Sequence, residues 1–201
     1  MKRWITLIAV TLGLISSNAA AAPEINQPAP DFTLQNSQGQ PVALSRFQGK
    51  YVVLEWYNKD CPFVRKQYDS GNMQALQRKY TDMGVVWLTI NTSAPGKEGY
   101  MTPSEAQANR TKEKSAATDL LLDPEGKVGK LYAAKTTPHM FVINPAGRVV
   151  YMGAIDDRPT VDVADIPGAK NYVARALDQA MAGKPVTDPL TKPYGCSVKY
   201  H

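Results

Sequence analysis

The amino-acid sequence predicts an α/β fold in which a mixed β-sheet carries helices on both faces. Two apolar runs, YVVLEWY (51–57) and VVWLTIN (85–91), are typical of buried strands, and the segment between them has helical spacing. A strand–helix–strand order of this kind favours a right-handed parallel crossover. Two later segments, HMFVIN and RVVYMG, flank the turn NPAG (144–147) and indicate an antiparallel hairpin. Parallel and antiparallel strands are therefore expected in one sheet.

The N-terminus, residues 1–22, has the features of a secretory signal peptide. Lys2 and Arg3 form a short positive region, an apolar run follows, and small residues lead up to Ala22. The alternative is a membrane anchor, but the apolar run has about half of the roughly 20 residues that a spanning helix needs. We therefore expect export across the inner membrane, the periplasm as the location, and no membrane-embedded segment after the signal is removed.

The rest of the chain, about 180 residues, suits one domain with a sizeable core. We place this domain at 23–183 and a Pro-rich C-terminal tail at 184–201. The formal net charge of +5 falls to +3 when the two basic residues of the signal are removed. Because the chain has no Lys/Arg block and no stripe of aromatic residues interleaved with basic ones, nucleic acid is not expected as a partner.

The first half of the domain is read from its turns and helix signals. The segment 29–50 reads as two extended pieces around a turn, which predicts an N-terminal β-hairpin. After the strand at 51–57, Pro62 fits the first turn of a helix, where its missing N–H costs nothing. The helix is expected to kink or restart at DSGN (69–72), because glycine is unfavourable inside a helix, and to end near Gly84.

The second half continues the alternation. TPSE (102–105) predicts a capping box and a polar helix that runs to about Ala117. LLLD (120–123) reads as a short strand, and KVGKLYAA reads as a short helix after it. The last helix is predicted at 168–183, because its apolar residues recur at helical spacing. Three prolines then make the tail free of helix.

Cys61 is the candidate nucleophile. It follows a predicted core strand and precedes Pro62, so it is expected at the N-terminus of a helix, where unpaired N–H groups and the helix dipole stabilise a thiolate. Arg65, four residues later, would face the same side of a regular helix and add positive charge. The alternative is that Cys61 is a small buried apolar residue, as free cysteine often is.

Three stretches of sequence carry a resemblance to known families. YVVLEWYNKDCPFV resembles the active-site strand and turn of the thioredoxin superfamily, and TTPHMFVINPAGRVVYMG (136–153) resembles its cis-proline strand and hairpin. PAPDFTLQNSQGQPVALSRFQGK resembles the lead-in of the alkyl hydroperoxide reductase and thiol-specific antioxidant branch, the peroxiredoxin-like redoxins. The resemblance covers roughly residues 25–183. It implies a thioredoxin-like three-layer sandwich with an N-terminal β-hairpin extension.

The resemblance also implies roles for individual residues. Cys61 and Pro62 fall on the first cysteine and the proline of the family's Cys-x-x-Cys motif. Pro138 would be the cis-proline that lies against the active cysteine, a form taken by about 5% of X–Pro bonds in folded proteins. Thr137 would supply the backbone edge that pairs with a substrate peptide.

The sequence departs from the family pattern at several positions. Val64 replaces the second cysteine of the motif, which rules out exchange by a local dithiol. The peroxiredoxin signature has proline and Thr or Ser where this chain has Leu54 and Asn58, so Asn58 is a candidate hydrogen-bonding residue without being the family residue. The arginine that assists peroxide reduction has three candidates, of which the first is favoured by helix geometry: Arg65, Arg148 and Arg158.

Cys196 lies in the tail, 135 positions after Cys61. Thirteen residues separate it from Gly183 and span at most about 43 Å, while a compact domain of this size is about 40 Å wide, so contact is permitted. Three alternatives remain open. Cys196 resolves an oxidised Cys61, or it forms a permanent structural disulfide with Cys61, or it pairs with another chain.

No metal or other cofactor is expected. Copper-handling relatives of the fold use closely spaced cysteines and a distant histidine, and that spacing is absent here. His139 is therefore expected to be a strand residue with a local hydrogen bond. A solvated loop is expected to contain four carboxylates, Asp156, Asp157, Asp162 and Asp165.

The sequence thus predicts an exported thiol-based oxidoreductase. Cys61 would attack a peroxide or a protein disulfide, and Cys196 or an external thiol would resolve the product. By analogy with the family, the reducing thiol would come from a partner such as the thioredoxin-like domain of a membrane electron-transfer protein. The competing interpretation is a non-catalytic binding or scaffold module in which Cys61 and Cys196 form a structural disulfide.

Overall fold

A computed structural model describes residues 22–201 of the chain. The predicted signal peptide lies, apart from Ala22, outside the described residues. Within the part that the structure describes, no helix combines the length and the apolar character needed to cross a membrane.

One seven-stranded mixed sheet forms the centre of the domain. Its strands lie in the order β2-β1-β5-β4-β3-β7-β8, and they are β1 (Thr33–Asn36), β2 (Pro41–Ala43), β3 (Val52–Trp56), β4 (Val86–Asn91), β5 (Asp119–Leu122), β7 (His139–Ile143) and β8 (Val149–Gly153). The β3–β4 and β4–β5 pairs are parallel, and the other pairs are antiparallel. The predicted mixed sheet, the N-terminal hairpin and the late hairpin are all confirmed.

Within residues 22–201, four α-helices lie between these strands and a fifth follows β8: α1 (Pro62–Asp69), α2 (Asn72–Asp82), α3 (Pro103–Lys112), α4 (Lys127–Leu131) and α5 (Tyr172–Met181). The break between α1 and α2 falls at Gly71, whose φ of 77° is in the left-handed region that glycine adopts without strain. The predicted restart at this glycine is therefore confirmed.

The capping box of α3 is confirmed, but the predicted end of this helix is wrong. The Thr102 side chain accepts from the Glu105 amide, and the Glu105 carboxylate accepts from the Thr102 amide at 2.8 Å. The helix ends at Lys112 rather than near Ala117, because Lys114 turns into the left-handed region with a φ of 53°.

Helices cover both faces of the sheet, as predicted. Apolar side chains of α1, α2, α3 and α5 pack with one face of β3, β4 and β7 in one buried cluster. The α4 helix and the segment after β2 pack in a second cluster on the opposite face. Every residue of β3 is buried. Close packing therefore fixes the position of this central strand and of its end, after which the chain enters α1.

The tail contains no helix, as predicted, but it is not a loose appendage. Its strand β9 (Cys196–Ser197) pairs antiparallel with β6 (Thr136–Thr137), and Leu190 forms a bridge with Met152 of β8. Near the C-terminus, the Tyr200 hydroxyl donates to the carbonyl of Ala134 at 2.8 Å. The tail is therefore held to the domain on both sides of its cysteine.

Candidate active site

Cys61 lies between the end of β3 and the start of α1. It is the N-cap residue of α1, with an extended backbone, and its carbonyl accepts from the Arg65 amide at 2.8 Å. Pro62 occupies the first helical turn, as predicted. As the N-cap residue, Cys61 lies at the positive end of the helix dipole, although its side chain makes no capping hydrogen bond to the first amides of α1. The side chain is fully buried.

The structure brings both cysteines to one place. The Sγ atoms of Cys61 and Cys196 are 2.6 Å apart, and Cys61 Sγ also lies 3.1 Å from the carbonyl oxygen of Thr137. The Thr137–Pro138 peptide bond is cis, as the resemblance implied. The edge of Thr137 that was expected to pair with a substrate peptide pairs with the chain's own tail, in register with Cys196.

Residues just before Cys196 fix its position. The Tyr194 hydroxyl donates to the carboxylate of Asp156, and its ring packs edge-on against Phe63 of α1 with the centroids 5.8 Å apart. Asp156 also accepts from the Gln67 side chain of α1 at 2.8 Å. The expectation of a solvated loop is wrong for Asp156, which is buried, because these donors from the tail and α1 replace water around its carboxylate.

The two thiols differ in their surroundings. Cys196 is partly exposed, whereas Cys61 is inaccessible. Burial against the domain, followed by the contact with Cys61, raises the pKa of the Cys196 thiol to about 12. The Cys196 thiol therefore stays protonated at neutral pH unless its surroundings change.

Arg65 lies where the sequence placed it, on α1, but its guanidinium is engaged elsewhere. It donates to Asp69, at 3.1 Å from Nε, and to Glu113. The bond from Arg65 lowers the pKa of Asp69. Among the contacts within residues 22–201, the guanidinium donates to neither sulfur, because the two carboxylates hold it on the flank of the helix.

The other polar residues predicted to support the active site also bond to groups other than the two cysteines. Asn58 accepts from the Asp60 amide at 2.9 Å and donates to the carbonyl of Glu98, so it shapes the turn before Cys61. Arg148 donates to the backbone carbonyl of Asn26 at 2.7 Å, and both residues are distant in sequence from the two cysteines. The Arg158 side chain pairs at the surface with the neighbouring Asp157.

The buried carboxyl group of Glu55 was not among the site residues predicted from the sequence. Glu55 of β3 is inaccessible and accepts from Tyr68 at 2.8 Å and from the Trp87 indole at 2.7 Å. Burial raises the pKa of Glu55 and the hydrogen bonds lower it by less, so the resulting pKa is about 7. A signal was present, because an acidic residue in the middle of an apolar strand requires buried partners.

His139 behaves as a strand residue with a local hydrogen bond, as expected. Its Nδ1 accepts from the Lys135 amide at 3.4 Å, and its ring lies against Phe141. Burial lowers its pKa to about 4, so the imidazole is neutral at physiological pH. In the region from residue 22 onward, no group of three or more His, Cys, Asp or Glu side chains is arranged to hold a metal ion.

Comparisons with known proteins agree with this geometry. A family model described as "AhpC/TSA family" matches residues 25–152, which is more than half of the chain. "Thiol-disulfide oxidoreductase ResA" of Bacillus thuringiensis is 25% identical over 127 residues, covering 63% of this chain and 68% of the relative. "Sporulation thiol-disulfide oxidoreductase A" of Bacillus subtilis is 24% identical over 151 residues, covering 74% of this chain and 87% of the relative.

Solved structures show the same fold over most of the chain. A hypothetical protein of Sinorhizobium meliloti superposes with a TM-score of 0.76 at 24% identity, covering 90% of this chain and 97% of the other. A "putative Thiol:disulfide interchange protein DsbE" of Chlorobium tepidum has a TM-score of 0.51 at 25% identity, with 65% of this chain and 85% of the other covered. The fold is therefore thioredoxin-like.

Proposed function

The chain belongs to the AhpC/TSA family of thioredoxin-fold oxidoreductases, and on this premise we propose that Cys61 and Cys196 form its redox-active pair. The observation that supports this most directly is the approach of the two sulfur atoms, 2.6 Å apart, at the N-terminus of α1. The pair takes the place of the local dithiol that Val64 excludes. It can store two electrons, with both thiols reduced or with one disulfide formed.

The proposed substrates are disulfides, and a peroxide is tested beside them. In the reduced protein, the tail first withdraws and uncovers the buried Cys61, whose thiolate then attacks one sulfur of a substrate disulfide and releases the other as a thiolate. Cys196 then loses its proton and attacks Cys61, which frees the remaining half of the substrate and leaves the Cys61–Cys196 disulfide. The names of the two curated relatives compared above favour disulfide exchange. Within residues 22–201, the hydrogen-bond partners of the Cys61 sulfur are the Thr137 carbonyl and Cys196, and neither is a cation that would polarise a peroxide.

We further propose that this exchange takes place after export, in the periplasm. The basis is the predicted signal sequence together with a redox pair that requires regular turnover by an external thiol. A thioredoxin-like domain of a membrane electron-transfer protein is the proposed source of that thiol. A peptide or small-molecule disulfide is the proposed oxidant.

A thiol-labelling experiment tests the redox pair. The reduced protein, Cys61→Ser and Cys196→Ser are each mixed with oxidised glutathione or, separately, with hydrogen peroxide, alkylated, and mapped by mass spectrometry. The wild type is expected to form the intramolecular disulfide. Cys196→Ser is expected to stop at a mixed disulfide or sulfenate on Cys61, and Cys61→Ser to react at least about 100-fold more slowly, because it lacks the activated thiolate.

The same variants separate catalysis from a purely structural disulfide. A structural disulfide closing so long a loop would contribute up to about 5 kcal/mol, so both variants would then melt at much lower temperature. If neither variant alters the reaction with glutathione or peroxide while both lose that much stability, the proposal fails and the scaffold interpretation replaces it.

A further inference from the structure

The chain between β8 and α5 forms a closed surface loop. Residues 157–170 begin and end at one point, where Asp156 and Asn171 pair as an antiparallel bridge. A loop of this length whose ends meet is an Ω-loop, a form that is frequently functional. The short 3-10 helix within it, Val163–Gly168, buries none of its residues, so these side chains add nothing to the hydrophobic core.

A buried lysine fastens the Ω-loop to α1. The Lys66 side chain of α1 is inaccessible to solvent, and its ammonium donates to the carbonyl of Arg158 at 3.0 Å and to the hydroxyl of Thr160 at 3.3 Å. A buried ammonium that lost these oxygens would be left without hydrogen-bond acceptors, which is costly. The Ω-loop is therefore held in place on the helix that begins next to Cys61.

The outer side of the Ω-loop exposes apolar side chains and negative charge. Val161 is 52% exposed and Val163 is 45% exposed, and between them the carboxylate of Asp162 accepts from the Ala164 amide at 2.9 Å. The tip of the loop, residues 160–166, contains two carboxylates and no basic residue, although the chain as a whole has an excess of positive charge. A partner that covers this tip therefore needs apolar groups for the valines and positive charge for the carboxylates.

A groove of about 360 Å³ lies between the base of the Ω-loop and the tail. Among the residues that line it are two prolines and two tyrosines: Pro159, Pro193, Tyr172 and Tyr194. Aromatic-lined grooves suit extended peptides, which lose little conformational freedom when they bind. The groove is close to the active site, because the Tyr194 ring packs against Phe63, two residues after Cys61. The tail residues of the groove precede Cys196, so the groove does not depend on the part of the tail that covers Cys61.

We propose that the Ω-loop and this groove form a docking surface for an extended polypeptide with apolar and basic residues. This rests on the proposed function, in which such a polypeptide carries the disulfide that Cys61 attacks. Its apolar side chains pack on Val161 and Val163, its basic residues meet the carboxylate of Asp162, and its backbone continues through the groove toward Cys61. The surface thereby selects polypeptide disulfides over small ones.

Rates of Cys61 oxidation by matched disulfides test the docking surface. The first probe is a disulfide-linked dimer of a short peptide with leucine and lysine around its cysteine, and the second is the same dimer with glutamate in place of lysine. The third is hydroxyethyl disulfide, which is too small to reach the Ω-loop while it reacts. At low ionic strength the reduced wild type is expected to react at least about tenfold faster with the lysine peptide than with the glutamate peptide. The ratio is expected to fall as salt screens the charges.

Variants of the Ω-loop locate the effect. Val161→Ser/Val163→Ser is expected to slow the reaction with the lysine peptide at least about threefold, because less apolar surface is buried on docking. Asp162→Asn keeps a side-chain oxygen for the Ala164 amide and is expected to lower the lysine-to-glutamate ratio about two- to fivefold. Both variants should react with hydroxyethyl disulfide at the wild-type rate. Met83→Ser is the matched control, since Met83 is also 52% exposed but lies at the end of α2.

The outcomes separate the docking surface from the redox pair. Equal rates with the two peptides, or loop variants that react with the lysine peptide as fast as the wild type, overturn the docking surface, while reaction with hydroxyethyl disulfide leaves the redox pair intact. If neither the peptides nor hydroxyethyl disulfide oxidises Cys61, the proposed function fails and the docking surface fails with it.

Discussion

Replacing Gly195 with alanine is expected to separate Cys196 from Cys61 while leaving the sheet intact. Gly195 has a φ of 132°, a conformation that other residues rarely adopt, and an added Cβ would overlap the carbonyl oxygen of Thr137. A non-glycine residue in such a region costs about 1–3 kcal/mol, even before the overlap is counted. The strand β9 would therefore shift off the edge at Thr137, and the tail would no longer present Cys196 to Cys61.

The expected measurement is the equilibrium between dithiol and disulfide in a glutathione redox buffer. The constant for forming the Cys61–Cys196 disulfide should fall about 10–100-fold, because each 1.4 kcal/mol corresponds to a factor of ten. Gly183→Ala is the matched control, since Gly183 also has a positive φ, of 69°, but faces open space. An unchanged constant in Gly195→Ala would show that the tail does not need its pairing at Thr137 to bring the cysteines together.

Glu55→Gln is expected to change the pH dependence of stability. The pKa of Glu55 is about 7 in the folded protein against 4.5 ordinarily, so between these values the unfolded chain loses a proton that the folded chain keeps. The stability that the wild type draws from keeping this proton is therefore fully present below about pH 4.5. The free energy of unfolding then falls by about 3 kcal/mol in all as the pH rises through 7. Glutamine has no proton to lose, so the variant should gain stability relative to the wild type across this window.

Urea denaturation of the reduced proteins from pH 4.5 to 8 measures the effect as the difference between variant and wild type. The difference is needed because His139 acts in the opposite direction in both proteins. Its pKa is lowered to about 4, so its effect on the free energy of unfolding becomes more stabilising as the pH rises. Glu24→Gln is the control, since Glu24 is exposed and its loss should leave the pH profile nearly unchanged. A constant difference between Glu55→Gln and wild type at all pH values would contradict the raised pKa.

Local signals in the sequence were sufficient for most of the fold. The runs at β3 and β4, the glycine between α1 and α2, and the capping box at Thr102 act over a few residues, and each produced the predicted element. The end of α3 was missed because the chain turns at Lys114, next to Glu113, whose carbonyl accepts from Gln74 of α2, and no local sequence pattern contains this contact.

The candidate site was predictable only in part. The position of Cys61 at a helix start follows from its neighbours, but Arg65 was assigned by helix geometry alone, and its guanidinium was captured by Asp69 and Glu113. The place of Cys196 depends on contacts between segments far apart in the chain, such as Tyr194 with Asp156. Chain length permitted the approach of the two cysteines, but only the three-dimensional structure shows that their sulfur atoms meet.

The separation of the cysteines also sets an order in time during synthesis. Cys196 follows Cys61 by 135 residues, which takes about 7–27 s at elongation rates of about 5–20 residues per second. During that interval Cys61 has no intramolecular thiol to meet, since the chain has two cysteines. The edge at Thr137, with which Cys196 pairs, is synthesised before Cys196, so this edge is available when the second cysteine emerges.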